Sequence, residues 1–141
     1  MPSSRIMIVE DERQTVDTLR DLFEQYGYET EVALNKNVAL NILQERKMDV
    51  IIISEMVQDV PGQDILCDIR KINKILPVIM ICEQKSKRIE SSLVKAGANI
   101  ILAKPLDPIN ALRIIDNLLE LKYATASAKQ RKHKTSTIKK K

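Results

Sequence analysis

Five short apolar runs recur along this chain, each separated from the next by a stretch with helical periodicity. This alternation narrows the fold more than any other feature. The runs are Ile6 to Val9, Thr30 to Leu34, Val50 to Ile53, Val78 to Ile81 and Ile100 to Leu102. Three of them are nearly continuous in Ile, Val, Leu and Met, as strands covered on both faces of a parallel sheet are. The second is polar at its start, as suits an edge strand. Between the runs, Val16, Leu19, Leu22/Phe23 and Tyr26 share one helical face, and Gly27 follows as a cap. Val38, Ile42 and Leu43 mark a second helix. Ile65, Ile69, Ile72 and Leu76 mark a third, stopped by Pro77, and Ile89, Leu93 and Ala96 a fourth, ended by Gly97. The fifth opens on Asp107 as cap with Pro108 in its first turn, and its apolar face is Ile109, Leu112, Ile115 and Leu119.

The predicted order is (βα)5, an α/β fold. Strands alternating with helices imply a parallel sheet, right-handed crossovers and helices on both faces, a doubly wound three-layer sandwich. For a chain of 141 residues the flavodoxin-like strand order 2-1-3-4-5 fits best. In that topology ligands bind beyond the carboxyl ends of strands 1 and 3, where the winding reverses. Chemistry is to be sought there.

Composition sets further bounds. With one Phe, three Tyr and no Trp, the core must rest on Ile, Leu, Val and Met. No apolar stretch approaches the ~20 residues of a membrane-spanning helix. Met1-Pro2-Ser3-Ser4-Arg5 leads into an apolar run too short for a signal peptide, so a cytoplasmic location is expected. The two cysteines, Cys67 and Cys82, have neither zinc-ligand nor disulfide-framework spacing, and the single His133 is far from both.

The net charge of +4 hides a segregation. Residues 122–141 hold eight Lys/Arg and no acid, whereas the preceding residues hold fifteen Lys/Arg against nineteen Asp/Glu. Apolar periodicity stops after Leu121. The expected division is a domain over 1–124 and a basic tail over about 125–141, a fraying helix end and then disorder. Tail residues Lys129, Arg131, Lys132, Lys134, Lys139, Lys140 and Lys141 are candidates for contact with nucleic-acid phosphates. Against base-specific reading, the tail lacks aromatics beyond Tyr123 at its root.

Several polar groups fall where the strands end. Glu10 and Asp11 follow the first, Ser54 ends the third, Cys82 ends the fourth, and Lys104-Pro105 follows the fifth. Ile-Met-Ile-Val-Glu-Asp-Glu, Pro-Val-Ile-Met-Ile and Ala-Gly-Ala-Asn…Ala-Lys-Pro-Leu, in that order, resemble the receiver domain of two-component response regulators over about residues 4–121. The resemblance implies a CheY-like module in a phosphorelay, not an enzyme in the ordinary sense, with a histidine kinase or another signalling protein as partner. It implies that Glu10 and Asp11 stand where the family holds Mg2+, and Lys104 where it neutralises the phosphoryl group. Gly62, eight residues after Ser54, sets the register and puts Ser54 at the position of the phosphate-accepting aspartate.

Departures cluster at that position and around it. Ser54 replaces the acceptor carboxylate, Gln58 a proline, Cys82 a Thr or Ser, and Ile101 an aromatic switch residue, while Glu83 stands where a small residue is usual. A serine hydroxyl is a weak nucleophile without an adjacent base, a thiol is a poor donor to phosphate, and a hard cation loses one oxygen ligand. The resemblance is therefore to a degenerate receiver, a pseudo-receiver that binds its partner without phosphorylation. Alternatives are an active receiver using Ser54 or Glu55. Successive strand residues face opposite ways, so Glu55 should point away from the pocket if Ser54 points in. For Lys104 the favoured reading is an ion pair with Glu10 or Asp11, and the rival is Glu83 reaching it as a fixed substitute for phosphate.

Deleting residues 125–141 should leave the melting temperature nearly unchanged, because a polar segment buries little apolar surface. The same deletion should abolish most binding to a polyanion such as heparin or DNA, and the binding of the intact chain should weaken steeply with added salt. A large drop in melting temperature would show that the tail is docked.

Overall fold

Strand residues of even and odd number part to opposite faces of one sheet, and two cores result. Residues 4–131 are described by a computed structural model. The strands are β1 (Arg5–Val9), β2 (Glu29–Ala33), β3 (Val50–Ser54), β4 (Met56–Val57), β5 (Val60–Pro61), β6 (Val78–Cys82) and β7 (Ile100–Ala103). The helices are α1 (Arg13–Gln25), α2 (Lys36–Glu45), α3 (Gly62–Ile72), α4 (Lys87–Ala96) and α5 (Pro108–Arg131). The main sheet is parallel in the order β2-β1-β3-β6-β7. Since the two-residue strands β4 and β5 form a separate antiparallel hairpin, this is the expected 2-1-3-4-5 order.

On one face, Met7, Val9, Ile51, Ile53, Val78, Met80, Cys82 and Ile101 pack with Ala39 of α2, Ile65, Leu66 and Ile69 of α3, and Leu93 of α4. On the other, Ile6, Ile8, Val50, Ile52, Ile79 and Ile81 pack with Val16, Leu19 and Phe23 of α1 and Leu112, Ile115 and Leu119 of α5. β1, β3 and β6 are buried on both sides, which explains why their sequences show no polar alternation.

Local chemistry sets the helix ends, and several differ from expectation. Helix α3 ends at Ile72 rather than continuing to Pro77. Asn73 Oδ1 accepts from the N–H groups of Ile75 and Leu76, both at 3.0 Å, so the side chain offers the backbone a turn in place of another helical turn. Leu76 is still buried from this turn. Tyr26 and Ile109, read as members of apolar faces, are 57% and 52% exposed. Asp107 caps α5 as anticipated, its Oδ1 accepting from Ile109 N–H at 3.1 Å and Asn110 N–H at 3.3 Å. Helix α5 continues to Arg131, through Ala124, Ala126 and Ala128, residues that favour helix most. The rest of the predicted tail, including Lys132, Lys134, Lys139, Lys140 and Lys141, lies outside the described residues.

Two features hold the sheet's ends. At the amino-terminal edge, Arg70 of α3 donates from Nε and Nη2 to the Gly97 carbonyl at 3.1 and 2.7 Å, and from Nη1 to the Asn73 carbonyl at 3.0 Å. Nη2 also reaches Asn99 Oδ1, which accepts from Val78 N–H at 2.8 Å. Gly97 has φ 114°, which lets α4 end there.

At the carboxyl edge, the β4–β5 hairpin turns through Gln58 and Asp59, both at positive φ (49° and 63°), a two-residue hairpin turn of the kind that matches strand twist. It lacks the Asn-Gly or Asp-Gly signal that would reveal it in sequence. The chain then enters α3 at Gly62, where a Cβ would lie 2.1 Å from the Ser54 carbonyl oxygen.

Gly62→Ala should therefore destabilise the fold by about 1–3 kcal/mol through overpacking against backbone. Urea denaturation measures this directly, and a change within error of zero would contradict the close approach.

Candidate functional site

Glu10 leaves β1 on the α1/α5 side and is only 3% exposed. A buried carboxylate must be satisfied by donors, and this one has three. Its Oε2 accepts from the N–H groups of Asp11 at 2.9 Å and Glu12 at 3.0 Å, and its Oε1 accepts from the Ser54 hydroxyl. Ser54 shares the parity of Ile52, comes off β3 beside Glu10, and is 4% exposed. Asp11 is solvent-facing, and its Oδ2 accepts from Gln58 N–H at 3.0 Å, tying the β4–β5 hairpin to the acidic pair.

Lys104 follows β7 and does not pair with Glu10 or Asp11 as expected. Its Nζ lies 3.1 Å from Glu83 Oε2. Burial pushes the Lys104 ammonium down, but the Glu83 hydrogen bond and the charges of Glu83, Glu10 and Glu12 outweigh it, so the group is held above its ordinary value. The reason for the different pairing is geometric. Glu10 already accepts three hydrogen bonds and Asp11 accepts from the hairpin, whereas Glu83 leaves β6 on the strand next to β7. Glu83 and Lys104 help line a cleft of about 460 Å3 together with Glu12, Thr15, Leu19 and Ile81.

Residues that alternate with these along their own strands face the opposite layer. Cys82 is fully buried there, and burial first, then the Glu55 charge, pushes its thiol up against the weaker opposing effect of Lys85. Ile101 is buried in the same core as Cys82 and Leu93. Glu55 lines a groove of about 510 Å3 with Cys82, Met80, Pro61, Arg88 and Ile89. Its Oε1 accepts from Glu83 N–H at 2.7 Å. Ser54 and Glu55 thus separate as strand alternation requires, Ser54 to Glu10 and Glu55 to the α3–α4 groove.

This donor set does not suit a divalent cation. Three carboxylates are not gathered: Glu10 is hydrogen-bonded on both oxygens, Asp11 on one, and Ser54 contributes a hydroxyl that donates. Among the described residues no three of His, Cys, Asp and Glu group as metal ligands. A hard cation would have to displace bonds already made inside the protein. The Ser54 hydroxyl was visible in the sequence, but not its commitment to Glu10. Nor was the Gln58–Asp11 contact, which depends on a hairpin with no sequence signal.

Residues 6–116 match the response regulator receiver domain family. The chain belongs to that family. Among curated relatives, a 14.6 kDa protein of Leptolyngbya boryana encoded in the sodA1 3′ region is 28% identical over 113 residues, 78% of this chain and 86% of that one. Response regulator SaeR of Staphylococcus aureus is 25% identical over 116 residues, 82% of this chain, and the match spans only half of SaeR. Among solved structures, a CheY-like receiver domain from Methanospirillum hungatei JF-1 superposes with a TM-score of 0.79 at 24% identity, covering 87% of this chain and 99% of that one. The Francisella response regulator 1452 receiver domain gives 0.80 at 24% identity, covering 85% and 99%. Receiver domains in general bind Mg2+ at the phosphorylation site and interact with histidine kinases or other signalling proteins. They are, in general, non-enzymatic signalling domains. No helix among the described residues is long and apolar enough to cross a membrane.

Ser54→Ala should leave a buried Glu10 oxygen without its donor and cost about 1–3 kcal/mol, the usual penalty for an unsatisfied buried group. Chemical denaturation of the variant checks this. A neutral result would mean that the Ser54–Glu10 bond does not form in solution.

Proposed function

We propose that this receiver domain works as a pseudo-receiver: a protein-interaction module of a two-component pathway that does not depend on phosphorylation. The observation that carries this reading is the closed hydrogen-bond set around Glu10, in which the Ser54 hydroxyl takes the place of a free acceptor carboxylate. Ser54 is almost fully buried, which leaves no approach for the in-line geometry of phosphoryl transfer. Lys104, the family's phosphate-neutralising position, already has an anionic partner in Glu83. Cys82 and Ile101, at the two switch positions, are buried apolar packing groups of the α3–α4 core.

The partner is a cytoplasmic signalling protein, a histidine kinase being the first choice for this family. The face formed by α4, β7 and α5 is the favoured surface, and Val94 and Ile109 are exposed apolar side chains on its two helices. Contact of the basic tail with nucleic acid is a separate reading that rests on charge segregation in the sequence.

Incubation with acetyl phosphate and Mg2+ should leave the intact mass of the chain unchanged. A stoichiometric, hydroxylamine-labile adduct would be an acyl phosphate and point to Glu55, and an acid-stable one would be a phosphoester and point to Ser54, with peptide mapping to fix the residue. Either would overturn the proposal. Ser54→Asp should create little switching on its own, since Cys82 and Ile101 also depart from the family pattern. It should lower stability by placing a second carboxylate against Glu10, and added Mg2+ should recover part of that loss.

A further inference from the structure

Glu83 is in contact with both faces of the sheet. Its side chain reaches Lys104 in the α1/α5-side cleft, and its backbone N–H donates to Glu55 in the wall of the α3–α4 groove. It opens a four-residue connection, Glu83 to Ser86, that is solvent-exposed throughout and leads directly into α4. That helix is thinly anchored, with Leu93 its only fully buried residue and Ile89 and Ala96 partly buried. Its amino-terminal half therefore has few apolar contacts of its own, the condition for local opening.

The Lys104 backbone is held independently of the ion pair, because its N–H donates to the Cys82 carbonyl at 2.8 Å just beyond the β6–β7 pairing. The movable partner is Glu83, whose side chain is 71% exposed against 31% for Lys104. An ion pair this open to water is weak and is screened by salt.

We infer that Glu83 is a latch: while it is paired with Lys104 it holds the β6–α4 connection and the start of α4 down over the α3–α4 groove, and its release opens that groove. Because the Glu83 side chain and N–H serve opposite cavities, an anion or partner cation that competes for Lys104 or Glu83 in one cleft alters access to the other. The inference does not require Ser54 to be inert. It rests on the Glu83 contacts and the sparse anchoring of α4.

Cys82 lines the groove and reports its opening. In the 141-residue chain with Cys67→Ser, Cys82 is the sole thiol, since the sequence has two cysteines. Its rate of alkylation by iodoacetamide should rise roughly two- to fivefold in Glu83→Gln and in Lys104→Met, the range an exposed ion pair controls. Combining the two changes should add nothing further, because both remove one interaction. Raising salt to about 1 M should speed labelling of the parent and not of the variants, since the screening length then falls to about 3 Å. Glu90→Gln breaks the Lys85–Glu90 pair beside the latch and should leave the rate unchanged. Hydrogen exchange should accelerate over residues 84–90 and not over 94–99. Equal rates in parent and both latch variants would overturn the inference. So would acceleration that merely follows the unfolded fraction measured in urea, or additive effects in the double variant.

Discussion

Burial of β1, β3 and β6 on both faces is the constraint from which the rest of this molecule follows. A strand covered on both sides has no face to give to polar groups, so polarity is driven to its ends. The ends that carry function are the carboxyl ones, at the reversal of winding between β1 and β3. Even-numbered positions deliver Glu10, Ser54 and Lys104 to the α1/α5 side. Odd-numbered Glu55 and even-numbered Cys82, which begins from a different strand phase, meet on the α3–α4 side. Two cavities arise from this one alternation, and they are separated by the sheet edge itself.

The chemistry of the edge is that of charges neutralised from within. A cluster containing Glu10, Asp11, Glu12, Glu55 and Glu83 has more negative than positive side chains, and short-range donors within the protein serve its carboxylates. Backbone N–H groups serve Glu10, Asp11 and Glu55, the Ser54 hydroxyl also serves Glu10, and one ammonium serves Glu83. Such bonds to ionised acceptors are stronger than neutral ones. A site organised this way has its geometry already set before any ligand arrives.

Much of this was legible in the sequence, and the limits have physical causes. Strand identity, order and the burial of Leu112, Ile115 and Leu119 follow from periodicity, because the alternation of 2.0 and 3.6 residues is set by backbone geometry. The acidic pair, Ser54, Cys82 and Lys104 could be placed at strand ends, and Ile101 within the last strand, for the same reason. Pairing was less legible. Lys104 meets Glu83 rather than Glu10 or Asp11 because hydrogen bonds to neighbouring N–H groups and to a hairpin had already engaged those acids. The end of α3 was misplaced because Asn73 competes for the backbone locally, an effect that apolar spacing does not register.

The Arg70 cluster lies at the other end of α4 from Glu83. Four hydrogen bonds from one guanidinium fasten Gly97, Asn73 and Asn99, and through Asn99 the start of β6. Helix α4 is thus clamped where it ends and lightly held where it begins. The opening inferred above is then a swing about the Gly97 end, greatest at Lys87 and Arg88. The two basic residues at the free end sweep farthest, so the charge presented beside the groove changes more than the shape of the core beneath it.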